Sequence, residues 1–117
     1  MYNFKQLKVW QKGFAISVQA FKFAETLPKE ERFGLTQQIT RASVSIPSNI
    51  AEGSSRSSIK DYSRFLEIAL GSSYELETQL MIAEAANHGD QYIRSQMLKD
   101  LEEEQKMLLA FINTLHK

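Results

Sequence analysis

Pro47 stands inside a stretch whose apolar residues repeat at helical spacing, and that conflict narrows the folds open to the chain. Leu35, Ile39, Ser43, Ile46 and Ile50 fall in one sector of a helix predicted from about Phe33 to Gly53. Proline brings no backbone N–H, so the carbonyl of Ser43 loses its usual donor. The apolar period continues past Pro47, which predicts a kinked helix rather than a broken one. Gly53 is read as its C-terminal stop.

Three other segments share the period. The first runs from about Lys5 to Thr26, with Leu7, Trp10, Phe14, Val18 and Phe21 on one face. Leu27-Pro28 ends it, because a residue before proline avoids the α region. A third helix is predicted from about Ile59 to Asn87, with Ser58 and Asp61 at its start. Its inner row is Tyr62, Phe65, Ala69, Ser72, Leu76, Leu80 and Ala83. Ala69, Gly71, Ser72 and Ser73 gather at its middle and predict a close approach by another helix. Asp90 is placed as cap of a fourth helix reaching about Leu115. Met97, Leu101, Leu108, Phe111 and Leu115 follow a heptad there, with Glu104 at one seam position.

Short connections make successive helices antiparallel neighbours. The expected fold is therefore all-α: one domain over residues 1–117, an up-down-up-down four-helix bundle with a kinked second helix. Only 5 Gly and 2 Pro are present, which suits long helices better than a turn-rich sheet. With no cysteine, disulfides, zinc-thiolate sites and thiol chemistry are excluded. No segment reads as a signal peptide, and no apolar run approaches the roughly 18 residues of a membrane span. A cytoplasmic location is the expectation.

Two helices carry more apolar residues than one core needs. The first adds a row of Val9, Ile16, Ala20 and Phe23, and the fourth adds Leu98, Met107, Leu109 and Ile112. A monomeric bundle uses one apolar stripe per helix, and large wet apolar patches are rare on soluble monomers. Self-association is the expectation, with unusually broad core stripes as the alternative.

At about 100° per residue, Ser45, Ser48 and Glu52 lie within about 40° of Arg41 on the second helix, opposite its isoleucines. Arg41 and Glu52 are about 16 Å apart along the axis and cannot bridge each other. Arg41, Ser45, Pro47, Ser48, Asn49, Glu52 and Gly53 thus form a candidate structural or oligomer motif, with Asn49 bonding loosened backbone. A ligand or nucleic-acid contact is the other reading of the same stripe.

Net charge is +0, but residues 1–64 hold 10 Lys/Arg against 5 Asp/Glu and residues 65–117 hold 4 against 9. Lys8, Lys12, Arg41, Arg56, Lys60 and Arg64 are the candidate contacts to phosphates. Solvated surface cations, with Arg64 paired to Asp61 or Glu67, are the alternative. No catalytic pattern emerges. His88 and His116 lack the Glu-x-x-His pairing of a di-iron bundle, and no phosphate-binding glycine loop is present. No cofactor, metal ligand set or small-molecule substrate is expected.

Several strings resemble one family. Phe4-Lys5-Gln6-Leu7-Lys8-Val9-Trp10, Phe33-Gly34-Leu35-Thr36-Gln37-Gln38-Ile39 and Ser45-Ile46-Pro47-Ser48-Asn49-Ile50-Ala51-Glu52-Gly53 are similar to the bacterial 23S rRNA-intervening sequence proteins. Gly71-Ser72-Ser73 with Glu75-Leu76-Glu77-Thr78-Gln79-Leu80 resembles that family's third helix. The resemblance implies an antiparallel four-helix bundle assembling as a ring-shaped homopentamer. It also implies kinship with the basic accessory proteins of diversity-generating retroelements, which bind nucleic acid and partner a reverse transcriptase. This chain lacks their net positive charge. The expectation is a non-enzymatic homo-oligomeric scaffold or adaptor; the alternative is an RNA-binding accessory protein.

Overall fold

The computed structural model describes residues 3–117. Four helices carry nearly all of it: α1 (Lys8–Ala24), α2 (Leu35–Ser54), α3 (Ile59–Ala85) and α4 (Gln91–Leu115). Each packs against its neighbour in the chain, and α1 closes the circuit against α4. The long dimension of 44 Å fits the roughly 40 Å of the 27-residue α3. This is the all-α bundle expected, and the short connections give it the up-down-up-down order.

Local chemistry sets the helix ends. Asn3 caps a short 3-10 turn, Phe4–Gln6, by accepting from the Lys5 amide. Leu7 is extended, so α1 begins at Lys8 rather than running from Lys5. Ser58 Oγ accepts from the Asp61 amide and Asp90 Oδ1 from the Ile93 amide, as their sequence positions implied. Asn87 and Gly89 turn the chain at positive φ, 57° and 87°. At Gly89 a Cβ would lie 2.5 Å from the Phe23 ring, so the α3–α4 turn is sealed by a side chain of α1.

α2 passes through Pro47 without interruption. Gly53 is not its stop. It lies buried in the last turn, where a Cβ would stand 2.8 Å from Phe65 Cβ and 3.1 Å from Tyr62 Cδ1. Its function is close approach between α2 and α3, not termination. Gly71 differs from it and from the close approach expected there: no neighbour lies within 4 Å, and the tight middle of α3 rests on Ala69, Ser72 and Ser73.

The core follows the predicted rows of α2 and α3, with Leu35 half-buried at its edge. On α1 the rows are exchanged. Val9, Ile16, Ala20 and Phe23 are buried, whereas Phe14, Val18 and Phe21 stay exposed and Leu7 and Trp10 are half-buried. The reason is the room between α1 and α2. Gly13 belongs to the buried row, and a Cβ there would already stand 3.1 Å from Ile46 Cγ2. The bulky row cannot approach so closely. On α4, Ile112 belongs to the core, Leu98 and Met107 pack at its edge, and Leu109 is exposed.

Candidate functional site

Turning the bulky row of α1 outward builds a groove. Trp10, Phe14, Val18 and Phe21 line one wall and Val44, Pro47 and Ala51 of α2 the other, around about 680 Å³. Phe14 and Phe21 are each 51% exposed and Val18 43%. The Trp10 ring is braced by Phe4 edge-on and by Phe14, both centroids at 5.2 Å. Lys22 and Glu25 stand at the rim. A shallower hollow over Phe21, Thr40, Arg41, Val44 and Ser48 continues the apolar face along α2. The groove is lined mainly by apolar side chains. The apolar surplus on α1 signals the groove in the sequence, but it is the row expected in the core that faces outward.

The polar stripe of α2 divides in the structure. Ser45 is half-buried; its Oγ lies 2.8 Å from Ser72 Oγ and accepts from Asn49 Nδ2 at 2.9 Å. Asn49 Nδ2 also donates to the Ser45 carbonyl at 2.8 Å, a bond within its own helix and not to the Ser43 carbonyl that Pro47 frees. Glu52 is exposed and pairs with Arg56, one turn on, at 2.9 Å. Arg41 and Ser48 are exposed. Arg41 and Ser45 share a polar cleft with Gln38 and Glu75 of α3. Pro47 and Gly53 are buried helix joints.

Beneath the groove sits a residue whose environment the sequence did not reveal. Glu104 is wholly buried, and neither carboxyl oxygen has a hydrogen-bond partner among the described residues. Burial pushes its pKa from 4.5 up to about 8, against a smaller downward pull from Lys12. Its Oε2 lies 2.9 Å from where a Gly13 Cβ would be.

The candidate cations do not form one cluster. Lys12 Nζ is held by Asp100 Oδ1 at 3.4 Å and Glu103 Oε1 at 3.5 Å. Arg56 and Arg64 both stack on Phe65, at 4.7 and 5.1 Å. Arg64 thus takes an aromatic partner rather than the Asp61 or Glu67 anticipated for it. Lys8, Arg41 and Lys60 are exposed. His116 Nε2 lies 2.9 Å from Ser63 Oγ. Among the described residues, no group of three or more His, Asp or Glu is placed to hold a metal ion. No helix among them is long and apolar enough to cross a membrane.

These features define a small four-helix bundle with an open apolar groove between its first two helices. The family model for the 23S rRNA-intervening sequence protein matches residues 5–110, and the chain belongs to that family. It is similar to a crystal structure of a protein with unknown function from the S23 ribosomal protein family of Bacteroides thetaiotaomicron. That similarity is 27% identity over 89% of this chain and 97% of the other, at a TM-score of 0.82. No curated protein matches.

Proposed function

We propose that the chain is a non-enzymatic homo-oligomeric scaffold whose copies join through the α1–α2 groove, as a ring of five by family resemblance. The observation that carries this reading is the outward row of Trp10, Phe14, Val18 and Phe21, with Phe14 and Phe21 each half-exposed. Apolar area of this kind returns about 25 cal/mol per Å² when covered. A closed ring needs two different surfaces per copy. Tyr74 and Met81, a heptad apart on α3 and both exposed, supply apolar side chains away from the groove. The expected solution mass is near five chains by light scattering. Changing Phe14 and Phe21 together to Glu is expected to give a single folded chain with unchanged helicity. A wild-type protein that stays at one-chain mass at every concentration overturns the reading.

One observation favours a second reading, an RNA-binding accessory that partners a nucleic-acid enzyme such as a reverse transcriptase. Arg56 and Arg64 converge on the single ring of Phe65, and an oligomer repeats that cation pair in every copy. Its signature is salt-sensitive binding to structured RNA that Arg56→Ala with Arg64→Ala weakens. Absence of binding at low salt rejects it.

A further inference from the structure

We propose that Glu104 is a protonated latch: its carboxylic acid donates to the Ser43 main-chain carbonyl that Pro47 leaves without an amide donor, tying α4 to the α1–α2 crossing beneath the groove. This reading stands independently of the oligomer.

Four observations converge on it. Glu104 is fully buried and neither oxygen meets a donor, so an ionised carboxylate there would have no hydrogen bond and only the smaller pull of Lys12 against its burial. Proline lacks an N–H, so the carbonyl four residues earlier has a vacant place on α2. Gly13 makes room between them: the position its Cβ would take lies 2.9 Å from Glu104 Oε2 and 3.5 Å from the Pro47 nitrogen. Ser17 and Ser43 face each other one turn along, at 3.4 Å between hydroxyls, and so align the Ser43–Pro47 turn with the Gly13–Ser17 turn. A neutral acid offers one O–H donor, which matches one vacant acceptor.

The charged surroundings support the neutral form. From α1, the facing cation is Lys12, and its Nζ is engaged by Asp100 and Glu103 of α4. Those two carboxylates are one turn back and adjacent on Glu104's own helix, and they already engage the Lys12 charge. The buried side of α2 presents no titratable group, and that of α3 presents only Tyr62, which lies against Phe111.

Linkage gives the sign. Glu104 is raised in the folded chain, so the unfolded chain loses its proton first as pH rises. The stability owed to the neutral acid is complete below about 4.5 and is lost as pH climbs to about 8. The primary test is carbon NMR titration of the labelled Glu104 carboxyl in the full chain. A midpoint above pH 6 is expected, and a midpoint near 4.5 overturns the latch. Pro47→Ala restores an amide donor to the Ser43 carbonyl and is expected to lower that midpoint by about one pH unit, a tenfold change. An unchanged midpoint overturns the assignment of Ser43 as acceptor. Glu104→Gln keeps a donor without a titrating proton. It is expected to abolish the fall in thermal midpoint between about pH 5 and pH 8, whereas an unaltered profile counts against the proposal. Should the Gln chain fail to fold, the wild-type titration still decides.

Discussion

One face of α1 carries Val9, Gly13, Ile16, Ala20 and Phe23 into the core, while the other leaves Trp10, Phe14, Val18 and Phe21 along an open groove. The outward face is the bulkier. Burial in this bundle therefore follows fit rather than hydrophobic mass. The inward row must pass Ile46 and Pro47 at glycine distance, and it also leaves space for a carboxyl. Close packing penalises excess volume as well as voids. The outward row meets no such limit, and Phe14 and Phe21 stay half-exposed.

Exchanging effects between the two faces is the strongest way to break that contrast. Ile16 is fully buried, so Ile16→Ala is expected to cost about 2–5 kcal/mol in denaturant unfolding. Val18 lies two residues on but is 43% exposed. Val18→Ser is expected to change the stability of a single chain by no more than about 0.5 kcal/mol, yet to weaken self-association seen by light scattering. If Val18→Ser destabilises the isolated chain as much as Ile16→Ala, the assignment of the two faces is wrong.

The glycines at the two crossings of α2 sharpen the comparison at a smaller scale. At Gly53 an added Cβ would meet Phe65 Cβ at 2.8 Å, a ring-bearing side chain buried on α3. At Gly13 the first obstacle is Glu104 Oε2 at 2.9 Å, the far end of a longer side chain. Gly53→Ala is expected to cost about 1–3 kcal/mol, net of the gain in helix propensity. Gly13→Ala is expected to cost at least as much, because the carboxyl is held in place and Ile46 Cγ2 stands close behind it at 3.1 Å. Thermal unfolding of both variants at one pH decides the order, and a clearly smaller loss at Gly13 would show that the Glu104 carboxyl swings free, which counts against the latch.

Where one face of a helix is uniformly apolar, the sequence and the structure agree. Every member of the predicted row of α3, from Tyr62 to Ala83, is buried. Ser58 and Asp90 cap because a short oxygen-bearing side chain before a helix has a local target. Non-local geometry was not legible. Gly53 and Gly71 look alike along the chain, but only Gly53 faces a packed neighbour. The row exchange on α1 arises because counting apolar residues weights Phe14 and Phe21 above Gly13 and Ala20, whereas the crossing selects small ones. Glu104 was visible at a heptad seam, but its full burial depends on Gly13, ninety-one residues earlier in the chain. The α2 stripe looks like one surface along the chain, yet Ser45 bonds to Ser72 of α3, Asn49 bonds back to Ser45 and Glu52 pairs with Arg56.

Glu52 provides the smallest test and a control for its buried counterpart. Both are glutamates on helices, but Glu52 is 54% exposed on its side chain and pairs with Arg56 at 2.9 Å, four residues on. Exposed pairs at this spacing contribute about 0.3–0.5 kcal/mol, because water already solvates both charges and salt screens what remains. Glu52→Gln is therefore expected to lower stability by no more than about 0.5 kcal/mol, with the difference disappearing in molar salt. Arg56 keeps its place over Phe65 at 4.7 Å without the carboxylate, so the α2–α3 joint stays closed. A loss above about 1 kcal/mol that persists in high salt would mean that Glu52 orders the joint itself, and that the exposed carboxylate is as structural as the buried one.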